Sequence, residues 1–182
     1  MPARTDEPVG PFPPGADPAD YDKLRRRVLW KMPSGLYLVG SRAGERRNLM
    51  TLNWATQVSI APKYLGVSVE REAFTHALID EGGSFTLNLI DREDRAVARK
   101  FTKPVEVDAA ARTLNGFGFH DAAVTGAPVL DQAVAFLDCA VRERVALGDY
   151  TFFMGEIVDA GFQKEEDTPV LRMEDTRMNY GG

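Results

Sequence analysis

The chain has 182 residues, 44% hydrophobic and 27% charged, enough for one core of ordinary size and too few for two, and its composition fits neither whole-chain disorder nor membrane residence. A net charge of −5 argues against a nucleic-acid backbone as the main partner, and the single Cys139 excludes an intramolecular disulfide and a cysteine-only metal cage. With no apolar run of signal-peptide or membrane-spanning length, the expected location is cytoplasmic.

Residues 1–20 carry Pro2, Pro8, Pro11, Pro13, Pro14 and Pro18, which deny the backbone donors, so they read as a disordered or arm-like tail before a single domain over 21–182. Tyr21 to Trp30 reads as a short helix with Arg25–Arg27 on a solvated face, and Leu36 to Gly40 as a first strand. Ser41 to Arg47 turns about Gly44. Asn48 to Ser59 and Tyr64 to Glu70 read as adjacent antiparallel strands, the second alternating Leu65, Val67 and Val69 with Gly66, Ser68 and Glu70.

Thr75 to Glu81 is predicted to be a helix capped by Thr75 and ended by Gly82-Gly83. In Ser84 to Ile90, Phe85, Leu87 and Leu89 face a core, while Ser84, Thr86 and Asn88 face a polar side. Asp91 to Phe101 reads as one helix with Arg99 and Lys100 in its last turn, and 102–128 as a long irregular excursion. Ala135 to Leu147 and Tyr150 to Phe162 are long strands joined by Gly148-Asp149, followed by a shorter one at Val170 to Met173. Strands first, two helices in the middle and strands last describe a small antiparallel barrel with helices outside.

His76 and His120 lie in different contexts with no metal-ligand spacing, and neither a nucleophile elbow, a nucleotide-binding glycine loop nor a cysteine–histidine pair is present. Cys139, between Leu137 and Val141 at alternate positions, reads as a small buried hydrophobe. The densest polar set is Thr51, Asn53, Thr56, Ser59, Ser68, Thr75, His76 and Asn88, which residue type alone leaves open between a solvated sheet face and a ligand site. A helix starting at Thr75 would offer free N–H groups to an anion, with Ser68 adding a hydroxyl and Arg99 or Lys100 a charge. Ordinary capping and helix-end contacts are the other reading of those residues.

The segment from Asn48 to Ile90, NLMTLNWATQVSIAPKYLGVSVEREAFTHALIDEGGSFTLNLI, resembles the signature half of the flavin reductase-like family. Arg99-Lys100-Phe101, Gly126-x-Pro128-x-Leu130, Gly148-Asp149-Tyr150 and Met154-Gly155-Glu156-Ile157-Val158 extend the resemblance in order. It implies a mainly β fold, an antiparallel Greek-key split barrel with a few short helices, which forms a homodimer with FMN near the subunit interface. By position, Asn53, Trp54, Ala55 and Thr56 would line the isoalloxazine, and Ser68, Val69 and Glu70 would run beside the ring and ribityl chain. Phe74, Thr75, His76, Arg99 and Lys100 would hold the phosphate, with Asn88 in support.

The activity so implied is NAD(P)H-dependent FMN reduction, which could supply reduced flavin to a monooxygenase partner. Two alternatives go with it: a flavoprotein with fixed FMN or deazaflavin for electron transfer or reduction of another substrate, and a non-catalytic barrel binding flavin or haem. Because the flavin carries the reaction, the absence of a conventional catalytic residue fits an enzyme. Tyr150 departs from the His that many members carry on the nicotinamide side, and Tyr180 stands in an ending that departs from their aromatic-rich one.

Overall fold

The computed structural model describes residues 7–176 and residue 178; Tyr180 lies outside them. Helix α1, Pro18–Leu29, begins earlier than the sequence predicts because Pro18 sits in the first turn, where a missing N–H costs nothing, and Asp17 caps it by accepting from the Asp20 N–H at 2.9 Å. It buries none of its residues. Arg25 donates to the Pro11 carbonyl and lies 5.6 Å from the Phe12 ring centre, so the segment before the helix lies along it.

A hairpin follows, β1 (Tyr37–Ala43) and β2 (Arg46–Leu52), with Gly44 at φ 58° in the turn. Next come β3 (Ala55–Ile60), β4 (Lys63–Glu70), α2 (Phe74–Gly82), β5 (Ser84–Leu89) and α3 (Ala96–Lys100). The long hairpin β10 (Ala135–Leu147) and β11 (Tyr150–Phe162) completes a seven-stranded sheet in the order β2-β1-β5-β10-β11-β4-β3, antiparallel throughout. Its two edge strands, β2 and β3, are consecutive in sequence. Two residues, Asn53 and Trp54, link them, and at roughly 3.5 Å of reach per residue the sheet must curl until its edges nearly meet. The result is a barrel open along one seam.

The single strand expected over Asn48 to Ser59 is therefore two strands on opposite edges. The Ala55 N–H turns back to the Asn53 carbonyl at 3.1 Å, and the Trp54 carbonyl is claimed by Ser68 at 3.0 Å, which redirects the chain. The helix expected over Asp91 to Phe101 is also divided. Asp91 caps a 3-10 turn at Arg92–Asp94, where Gln132 holds the Asp94 carboxylate, and only Ala96–Lys100 is α-helical. The excursion over 102–128 contains β6 (Val107–Asp108), β7 (Thr113–Leu114) and β8 (Phe117–Asp121), which with β9 (Pro128–Leu130) form a small second sheet. Val170 to Met173 makes isolated bridges, Asp91 to Val170 and Gly35 to Arg172, before a 3-10 turn at Met173–Asp175, in place of the expected strand.

The period of two in β1 divides two cores. Leu36 and Leu38 join Leu49, Phe101, Leu114, Leu130 and Leu171 beneath α3 and the second sheet, while Val39 joins Leu52, Val67, Val69, Ile79, Phe85 and Phe153 inside the barrel. The polar side of β5 is not solvated. Thr86 and Asn88 are fully buried under β9, Thr86 donating to the Pro128 carbonyl at 2.5 Å. Asn88 accepts from the Leu130 N–H at 2.8 Å and donates to the Leu38 carbonyl at 3.1 Å. Its role is to fasten three strands together.

Candidate functional site

Because Leu65, Val67 and Val69 point into the barrel, Gly66, Ser68 and Glu70 point out. Thr56 on β3 lies opposite Gly66, and on β11 Phe152 lies opposite Ser68 and Tyr150 opposite Glu70. These positions form one outward face. A Cβ on Gly66 would come within 2.1 Å of the Phe152 ring, so that ring lies directly over the glycine. Trp54, 39% exposed, stands at the seam with its ring 4.9 Å from that of Tyr150, tilted 56°. Thus Trp54, Thr56, Ser68 and Glu70 come together at this face and its seam. Val69 does so only through its backbone, since its side chain is fully buried, and Ala55 likewise packs on the barrel core. Asn53 is half-buried in the bend.

Helix α2 starts immediately beyond Glu70, whose carbonyl accepts from the Ala73 N–H at 3.1 Å. The residue capping it is Ala73, not Thr75, and no side chain caps it, so its first N–H groups keep their donor capacity. Thr75 is fully buried and accepts from Asn48 Nδ2 at 2.7 Å. Leu78 and Ile79, three and four residues on, are also buried, and this shared stripe turns the Thr75 side chain to the core. A phosphate at this helix start would meet the Thr75 N–H and not its hydroxyl. Phe74 is 39% exposed on the first turn.

His76 Nε2 lies 2.8 Å from Thr151 Oγ1, and its ring centre is 5.1 Å from that of Phe153. Burial holds its pKa below the ordinary 6.5; Asp80 pulls the other way, and Arg71 adds to the lowering. The imidazole is therefore neutral at neutral pH.

Arg99 and Lys100 are exposed at the end of α3. Thr51 lashes this helix to β2, donating through Oγ1 to the Ala98 carbonyl at 2.5 Å and through its N–H to the Phe101 carbonyl at 2.9 Å. Three residues earlier, Asn48 donates to Thr75 and accepts from the Val105 N–H at 3.1 Å. Asn48 thus couples the first turn of α2 to the segment that follows the cationic helix. The sequence did not single it out; the signal was a lone amide in a strand whose other residues are Arg, Leu, Met and Thr. Thr151 was missed in the same way.

Among the described residues no His, Cys, Asp or Glu cluster could hold a metal ion. Cys139 is fully buried, and burial pushes its thiol up to about 12, an inert group as expected. His120 pairs through Nδ1 with Asp131 at 2.8 Å.

The exposed Trp54 indole, the outward Thr56 and Ser68, the uncapped start of α2 and the exposed Arg99 and Lys100 are groups of the kind that bind an aromatic, phosphate-bearing ligand. The pattern of the flavin reductase like domain matches residues 29–181. The chain belongs to the flavin reductase-like family. Within it, the chain is 31% identical over 147 residues to an NADH-dependent FAD reductase of Streptomyces globisporus, covering 79% of this chain and 78% of that one. The NADH:FAD oxidoreductase SgcE6 of Streptomyces globisporus C-1027 superposes with a TM-score of 0.73 at 26% identity, over 88% of this chain and 93% of that one. The flavin reductase PheA2 superposes at 0.69 and 25% identity, over 83% and 92%. The chain also matches diflavin flavoprotein A 1 of Synechocystis at 25% identity over 148 residues, 80% of this chain but only 25% of that longer protein. This flavin reductase-like oxidoreductase therefore has the split-barrel fold of its relatives, and no helix among its described residues is long and apolar enough to cross a membrane.

Proposed function

We propose that this flavin reductase-like protein is an NAD(P)H-dependent flavin reductase, and that the FMN half of its flavin lies along the Trp54, Thr56 and Ser68 face with its phosphate at the start of α2. The observation that carries this reading is the continuity of that outward face with a helix start no side chain caps. Similarity to an NADH-dependent FAD reductase supports the activity.

Bound flavin supplies the two-electron redox chemistry between nicotinamide and acceptor. The chain's residues hold and orient it. Trp54 packs against the ring, Thr56 and Ser68 donate hydrogen bonds to its polar edge, and Asn53 closes the bend behind it. The N–H groups of Phe74 and Thr75 with Arg99 and Lys100 bind the phosphate. Neutral His76, held by Thr151, positions the first turn of α2 and brings no charge of its own.

A second copy of the chain covers the outward face. Val145 and Leu147 on β10, 42% and 54% exposed, extend it beside Phe152 and Tyr150, an apolar surface of the kind that pairs in homodimers. Reduced flavin released from such a dimer would feed a cytoplasmic monooxygenase partner.

The test is oxidation of NADH and of NADPH by the purified protein, followed with FMN and with FAD as acceptor. Turnover above a protein-free control is expected; none with either nicotinamide would sink the reductase reading. Flavin retained in equimolar amount through purification would instead identify a fixed-cofactor enzyme.

A further inference from the structure

A surface cavity of about 620 Å³ opens beside α3, lined by Arg95, Ala96, Arg99, Glu174, Asp175 and Thr176. Its volume is within the roughly 300–1,000 Å³ range of small-molecule sites. Both carboxylates of its wall are already neutralised. Asp175 binds the Arg92 guanidinium at 2.5 Å and accepts from the Arg172 N–H at 3.0 Å, and Glu174 pairs with Arg172 at 3.3 Å. Desolvation pushes the Asp175 carboxyl up, but its hydrogen bonds and charge contacts with Arg92 and Arg172 together hold it below its usual range. Arg95 and Arg99 lie four residues apart, spanning one turn of α3, and form no ion pair among the described residues. The cavity therefore presents two uncommitted guanidinium groups, the chemistry that binds phosphate.

We propose that this cavity is the subsite for the adenylate half of a dinucleotide, with Arg95 binding its phosphate and Arg99 standing between it and the flavin phosphate. The proposal rests on the flavin reading above, because Arg99 is the residue the two sites share. It gives the cavity an adenosine monophosphate group, which FAD and a nicotinamide dinucleotide both carry and FMN lacks. On this assignment the protein binds FAD more tightly than FMN if the group belongs to the flavin, or NADH more tightly than nicotinamide mononucleotide if it belongs to the donor.

The experiment titrates the full chain and its Arg95→Gln variant with FMN, FAD and AMP, and measures the KM for NADH with FMN as acceptor. Arg95 is exposed, so the variant keeps the fold. A loss of about tenfold is expected for AMP and for FAD or NADH, with FMN affinity unchanged and partial recovery in Arg95→Lys. A change confined to FAD assigns the subsite to the flavin, and one confined to NADH assigns it to the donor. The proposal is overturned if Arg95→Gln alters none of the three adenylate ligands, or weakens FMN as much as FAD. Failure of the flavin reading is separate: neither flavin would bind the unaltered chain, while AMP would still report on the cavity.

Discussion

A histidine whose pKa falls on folding makes stability depend on pH in one direction. Between the lowered His76 value and 6.5, the unfolded chain binds a proton that the folded chain does not, so stability rises with pH. Its contribution is complete above 6.5 and is lost as pH falls toward the folded value. The His76 ring resonances should titrate with a midpoint below 6.5, and His76→Gln should flatten the melting temperature across this window; a midpoint at or above 6.5 would contradict the assignment. Thr75→Ala should act mainly on stability, since it leaves the Asn48 amide without its acceptor in the core, at about 1–3 kcal/mol by urea denaturation. Thr75→Ser should recover most of it. The sequence marked Thr75 as the cap of the helix start, whereas the cap is Ala73 and Thr75 lies in the first turn. A helix capped at Ala73 and one capped one or two residues later share nearly the same apolar period, and the burial of Leu78 and Ile79 decides between them.

Single side chains also hold whole elements in place. Asn88 makes buried bonds to β1 and β9 from the middle of β5, and Asn88→Ala should cost about 2–4 kcal/mol and free β9, seen as faster amide exchange at Leu130. Gly66→Ala should push the Phe152 ring off β4, disturbing the outward face more than the core. Measured flavin affinity should therefore fall by more than the denaturation midpoint. The bounds of β10 and β11 were legible because two long strand-like runs meet at a Gly-Asp turn, with Gly148 at φ 59°, although register shifts at Asp138/Cys139 and Val141/Glu143 interrupt the pairing between them. The break at Asn53 and Trp54 was not, since alternation continues through it and only pairing with distant strands shows which side of the bend each residue joins. Strands of two residues, such as β6 and β7, have no period to read.

For the molecule as a whole, the barrel was legible through ordered motifs spread along the chain, whereas the second sheet had no such series. If the outward face pairs with a second copy, Leu147→Glu should turn a dimeric mass in light scattering into a monomeric one and loosen flavin binding with it; a dimer that survives the change would move the interface elsewhere. The strand order also sets a schedule for biosynthesis. The centre of the seven-stranded sheet is β10, paired with β5 on one side and with β11 on the other, and β11 carries β4. A ribosome makes these two central strands last. Until they emerge, β5 and β4 each present a bare edge, so the two halves of the sheet stay unjoined until the late hairpin enters between them.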